Sequence, residues 1–425
     1  MKNLKQKTLS LFSLFLLLSS FAAEGNSPPS HTGKTISFDE AYRLALNYSL
    51  QRQISAEQVE IQREQLSQAK GSLLPAVSLR MRHFRQDSLQ GQSFADNDQT
   101  STALNFSQPL LRGLREYTAL GIAEDSVLRA ELGERLEQRQ ILFQLARVYY
   151  SLLIDMADLK NTQELYKLTR ERVVDLKERV NIGRSRKSES LLAQSQLVTV
   201  ESRQKTLERN LKILWTEFFL LTGINHELEL IKPPQMDKMQ ELGAYLARME
   251  QLPEIQRAKL ELKISDQQVQ LQKRYHYPDL TFDGNFYLQR DGVQRERDWD
   301  MSINLNFPLF EGFNVQSRVR EAVLSRNQST HAMLNIQRQL ESEIRELYSL
   351  IDLDLSRLDV TKRAVDLARQ NYQEQRREYN LGLVTNQEVL QALNSFIENQ
   401  QVFDRLQLES AYNFQILKAK VGELQ

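Results

Sequence analysis

Five histidines, His31, His83, His226, His276 and His331, are the first side chains to test for chemistry. Helical metal ligands stand three or four residues apart, whereas the smallest gap between these is 50 residues. The chain has no cysteine, which removes thiolate nucleophiles, thiolate metal sites and disulfides together. No glycine-rich phosphate loop and no G-x-S-x-G elbow occurs. Acidic and basic side chains number 55 each and interleave along long polar stretches, the pattern of solvated helix faces. That balance offers no basic stripe for nucleic acid. The sequence therefore reads as a non-enzyme with no cofactor.

The remaining informative residues are structural. Ser37-Phe-Asp-Glu40 and Thr385-Asn-Gln-Glu388 are capping boxes, in which a hydroxyl accepts from a backbone amide and a carboxylate accepts in return. Gly183 and Gly382 each follow a long helical pattern, where a left-handed residue is needed to reverse the chain. These positions belong to a duplication with an offset of 199 residues. Asn105, Pro109, Leu110 and Gly113 recur as Asn304, Pro308, Leu309 and Gly312. The seven-residue ladder Leu145, Leu152, Leu159, Tyr166, Val173, Val180 recurs as Ile344, Ile351, Leu358, Val365, Tyr372, Tyr379. The intervening positions hold at Leu340 and Leu347, then become Asp354, Thr361 and Gln375, an imperfect seam suited to helices curving around a wide bundle.

Residues 1–23 read as a secretory signal, with Lys2, Lys5 and Lys7 before an apolar run from Leu9 to Leu18. Residues 24–35 read as a flexible leader, 36–226 as the first repeat and 227–425 as the second. A helix is expected from Ser37 to about Gly71, and proline-free helices of roughly 100 Å from about Gly113 to Val180 and from Phe313 to Asn380. Their turns fall near 181–187 and 380–386. Trp215 lies in the most apolar helical stretch and is expected to pack between helices.

Between the helices the period changes to two. Trp299, Met301, Ile303, Leu305 and Phe307 alternate with acids and amides, as do Leu280, Phe282, Phe286 and Leu288. Val77, Leu79 and Met81, then Leu104 and Phe106, repeat the pattern less cleanly. Strands are expected near 76–87, 100–109, 279–289 and 298–308, one hairpin per repeat. Periodicity alone leaves two readings open, a half-buried sheet in a soluble α+β protein or a sheet whose apolar face meets lipid. In the second, four strands cannot close a barrel, since the smallest closed ones have about eight, so several copies must share one.

The order of these pieces resembles the TolC-like outer-membrane efflux proteins. The likeness rests on Ser37-Phe-Asp-Glu-Ala41 with Leu44-Ala-Leu-Asn47, the corner Asn306-Phe-Pro-Leu-Phe-Glu-Gly312, and Tyr379-Asn-Leu-Gly382 leading to Val389, Leu390 and Ala392. The resemblance implies a mainly α chain with a transmembrane β-barrel portion, assembled as a homotrimer in the outer membrane and reaching through the periplasm. Trp299, Met301, Ile303, Leu305, Leu104 and Phe106 would face lipid. Ile182, Gly183, Leu381, Gly382 and Leu383 would dock a periplasmic adaptor that connects to an inner-membrane transporter. Tyr379, Glu388 and Glu189 would narrow the periplasmic end. A second acid usual in such a constriction is absent, Gln391 standing in its place, and Arg184, Arg186 and Lys187 make the first tip more basic than the family pattern. The competing expectation is a periplasmic coiled-coil scaffold or adaptor without a barrel.

Overall fold

The computed structural model describes residues 35–85, 98–234, 239–291 and 295–423. The expected signal and residues 24–34 of the expected leader lie outside the described residues. Thr35, assigned to the leader from sequence, is instead part of a short strand, β1 (Thr35–Ile36), paired in parallel with β4 (Glu229–Leu230).

The helix expected from Ser37 is two helices, α1 (Phe38–Tyr48) and α2 (Leu50–Gly71). Ser49 stands between them with ψ 115°, too extended to continue α1, and its hydroxyl accepts from the Arg52 amide at 3.2 Å to start α2. The Ser37–Glu40 capping box forms as expected. Two 67-residue helices follow the two hairpins, α3 (Arg115–Asn181) and α7 (Asn314–Asn380). Each turns back into a shorter partner, α4 (Lys187–Thr222) and α8 (Asn386–Lys420). Between the repeats, α5 (Leu242–Ala247) and α6 (Pro253–Lys273) lead into the second hairpin.

The seven-residue ladder marks the seam in both long helices. Leu145, Leu152 and Val173, like Ile344, Ile351, Val365 and Tyr379, are buried, and the other rungs are half-buried. Asp354, a polar interruption of the seam, is buried as well and pairs with Arg357 at 3.6 Å. The densest core lies where α1, α3 and α4 meet. Trp215 is buried there against Phe218 and Phe219, as its setting in the sequence suggested. The Tyr149 hydroxyl donates to the carbonyls of Ile36 (3.1 Å) and Ile231 (2.7 Å), tying the short β1–β4 pair to this core.

Helix packing has an order with two open sides. Towards the turns the sequence is α4, α3, α8, α7; towards the sheet it is α2, α3, α6, α7. The outer members carry exposed apolar stripes: Leu353, Val360 and Leu367 on α7, Leu191, Val198 and Ile213 on α4, Leu50 and Ile54 on α2. The α7 stripe has a seven-residue spacing, the repeat by which one helix seats another.

The two hairpins form one antiparallel sheet, β2 (Ala76–Arg85), β3 (Asp98–Arg112), β5 (Asp279–Arg290) and β6 (Trp299–Asn306), in that order. β3 runs beyond its expected limits at both ends, while β6 stops at Asn306, leaving Phe307 and Pro308 in the corner. Both sheet-to-helix corners use two consecutive left-handed residues, Gly113–Leu114 and Gly312–Phe313. Such a backbone costs a non-glycine residue about 1–2 kcal/mol, yet it appears at the same place in both repeats.

Candidate functional site

The sheet has an apolar face and a polar face. Cross-strand register places Val77 with Phe106, Leu79 with Leu104, Leu104 with Phe286, Phe286 with Trp299, and Phe282 with Ile303 on one side. Alternation in two central strands therefore continues across all four. Trp299, Met301, Ile303 and Leu305 are 61%, 64%, 67% and 68% exposed, and Leu104 and Phe106 are exposed too. Among the described residues no helix or second sheet covers them.

The opposite face is a hydrogen-bonded polar ladder. Ser107 and Asn304 both donate to Asp283, each at 2.6 Å. Asn285 donates to Asp300 at 2.6 Å and the Tyr287 hydroxyl does so at 2.8 Å, while Asn105 donates to Asn285. These bonds join strands of both repeats. A single protomer thus presents grease on one side of a sheet and a wet wall on the other, with β2 and β6 as unpaired edges. In hydrocarbon, such edges must be closed.

At the other end of the long helices, both turns are built alike. The Gly183 amide donates to Val180 (3.0 Å) and that of Arg184 to Arg179 (2.7 Å); Gly382 donates to Tyr379 and Leu383 to Glu378, both at 3.0 Å. These paired bonds satisfy the last carbonyls of each helix and require a left-handed residue, here φ 73° at Gly183 and 78° at Gly382. The turns leave Ile182, Leu381 and Leu383 on the surface.

The expected constriction residues are held in different ways. Tyr379 is buried, its ring facing two guanidinium groups from α3: Arg172 at 3.5 Å and Arg179 at 4.9 Å from the centroid. Asp175 pairs with both arginines at 3.0 Å, and Arg172 also donates to Asn386 at the start of α8 at 2.7 Å. Burial pulls the Arg172 pKa down, while the hydrogen bond to Asp175 pushes that of Arg179 up. Arg172, Asp175, Arg179 and Asn386 had not been singled out from sequence. Their one sequence signal is local, the spacing of Arg172, Asp175 and Arg179 along one helix face.

Glu388 closes the expected capping box on Thr385, accepting from its amide (2.6 Å) and its hydroxyl (2.8 Å). The backbone amide first, and then the hydroxyl, hold the Glu388 carboxyl below its ordinary pKa. Tyr379 packs with Val389 and Leu390 beside it, so these two candidates share one tip. Glu189 belongs to the other tip, where it accepts from Ser185 at 2.5 Å. Among the described residues there is no metal-binding cluster, and no helix is long and apolar enough to cross a membrane.

Residues 247–422 match the family model described as outer membrane efflux protein. TolC of Salmonella enteritidis is 21% identical over 378 residues, covering 85% of this chain and 77% of that protein. The crystal structure of VceC from Vibrio cholerae superposes with a TM-score of 0.80 at 17% identity, over 91% of this chain and 96% of that one. The CmeC outer membrane channel of Campylobacter jejuni gives 0.79 at 15% identity, over 91% and 85% respectively. A duplicated hairpin and long-helix unit, a sheet with one bare apolar face, and these likenesses together make the chain similar to the TolC-like outer-membrane efflux proteins.

Proposed function

We infer that three copies of this chain close into one passive exit duct, with a twelve-stranded barrel in the outer membrane and a hollow helical barrel across the periplasm. The observation that carries this reading is the uncovered apolar face of a four-stranded sheet that ends in two open edges. β2 and β6 run in opposite directions, so β6 of one copy can pair antiparallel with β2 of the next, and an even-stranded ring results. Contact between unlike edges of successive copies is the geometry that generates closed rings.

The helices support the same closure. α7 on one side would seat against α4 and α2 of the neighbour, and all three carry exposed apolar stripes. Leu353 lies 27 residues before the end of α7 and Ile213 lies 26 residues after the start of α4, so both sit at nearly the same height above the turns. A periplasmic scaffold without a barrel has no use for the bare sheet face.

In this reading Ile182, Gly183, Leu381, Gly382 and Leu383 meet a periplasmic adaptor protein, which links the duct to an inner-membrane transporter. Tyr379, Glu388 and Glu189 lie where the periplasmic end narrows, and cargo passes without chemical change. The test is direct. Protein extracted in detergent should have the mass of three chains and form pores in planar bilayers; a monomer released from membranes by salt or carbonate would overturn the proposal.

A further inference from the structure

We propose that Arg80 and Arg82 make a basic belt in the outer half of the bore that favours the entry of anions over cations. This rests on the three-copy barrel inferred above, in which the polar face of the sheet lines the bore. In β2, Val77, Leu79 and Met81 belong to the apolar face, so Ser78, Arg80 and Arg82 belong to the polar one. Arg80 stands opposite Ala103, and Arg82 opposite Ser101, whose other neighbour is Arg290. Three arginines are therefore gathered on the wet wall, from the middle of β2 to the outer end of β5.

Their counter-charges are unequal. Asp300 is occupied by Arg290 at 3.7 Å, besides Asn285 and Tyr287. Asp98 lies on the apolar side of the sheet with Arg85 (3.6 Å) and His83 (4.0 Å). Asp283 is deeper along the wall and bound by Ser107, Asn304 and Thr281. Asp291 accepts from the Thr100 amide at 3.1 Å, and Asp298 precedes β6, the edge that meets β2 of the next copy in the closed ring. Among the described residues neither Arg80 nor Arg82 has a carboxylate partner; the Arg82 guanidinium lies 5.5 Å from the Phe84 ring, and both side chains are exposed. Along this stretch of wall Arg80, Arg82 and Arg290 outnumber Asp298 and Asp300, and repeated three times around the ring this excess of guanidinium groups concentrates the local field, which is how rings of arginine select anions in pores.

The experiment is a reversal-potential measurement in planar bilayers under a KCl gradient. Arg80→Gln with Arg82→Gln should shift the permeability ratio towards potassium, and Arg80→Lys with Arg82→Lys should leave it at the wild-type value. Arg85→Gln, at the outer end of the same strand on the other face, should leave it unchanged too. The difference between wild type and the glutamine pair should shrink as salt rises from 0.1 M to 1 M, because the screening length falls from about 10 Å to about 3 Å. An unaltered ratio in the glutamine pair, or an equal shift in Arg85→Gln, overturns the belt while the duct stands. Absence of any pore from the wild-type protein overturns the duct itself, and the belt with it.

Discussion

Tyr379 has an environment that a channel constriction can use. An aromatic ring between Arg172 and Arg179 locks α7 to α3, and Asp175 keeps the two cations from repelling each other outright. The adjoining turn is looser. Nothing lies within 4 Å of a Cβ built on Gly382, so a side chain there meets no obstacle, and strain comes from φ 78° alone. Gly382→Val should therefore cost about 1–2 kcal/mol locally while leaving the oligomer assembled. Drug or dye export from cells should fall, and full export would remove the docking role of this tip. Glu388 needs a substitution that separates its two roles. Glutamine still completes a capping box but carries no charge, so Glu388→Gln should keep amide protection at the α8 start and alter conductance or cation preference. Unchanged single-channel traces would leave Glu388 as a cap only. Its folded pKa is depressed, so the contribution to stability is complete above the ordinary carboxylate value of about 4.3 and is lost as pH falls through the lower folded value. Amide exchange at the α8 start should accelerate only in that acid window.

Strand β6 carries the clearest test of the lipid assignment. Ile303 is near the middle of Trp299–Asn306, on the same face as its apolar neighbours, and makes its cross-strand pair with Phe282. Arginine at mid-depth on a lipid-facing strand costs about 2–4 kcal/mol. Ile303→Arg should lower the yield of membrane-assembled trimer, scored by gel mobility of unheated outer-membrane extracts; normal yield would refute lipid contact. The corners where strands meet helices add a different lesson. Leu114 and Phe313 both adopt a left-handed backbone that L side chains disfavour, and both are exposed. Ser49 likewise breaks a helix with neither proline nor glycine present, through its own hydroxyl cap.

Closure of the proposed ring would depend on surfaces that a lone protomer leaves bare. Val360 is exposed between Leu353 and Leu367 on the outer side of α7, away from the buried ladder. A surface change at such a position usually moves protomer stability by no more than about 0.5 kcal/mol. Val360→Glu should nevertheless reduce trimer recovery in detergent, because it sets a charge in an apolar helix seam three times per ring. Light scattering of the purified protein reads the result, and an intact trimer would show that α7 does not meet a neighbour here. The packing order gives this prediction its direction: α7 is the outer helix on one side, with α4 and α2 on the other.

The duplication, the seven-residue ladder, the alternating strands, the glycine turns and both capping boxes are written in local spacing, so residue order alone predicts them. Each depends on neighbours within a few positions, or on a repeat length that persists along the chain. The pairing of β3 with β5, which merges two hairpins into one sheet and leaves β2 and β6 as its edges, has no such local signature. Nor has the grip of Arg172 and Arg179 on Tyr379, since the partners are some 200 residues apart in sequence. Contacts at that separation form only when two helices of equal length descend from a shared sheet and turn at the same level. Chain order supplied the elements and their faces, whereas three-dimensional packing selected which of those faces a protomer leaves bare.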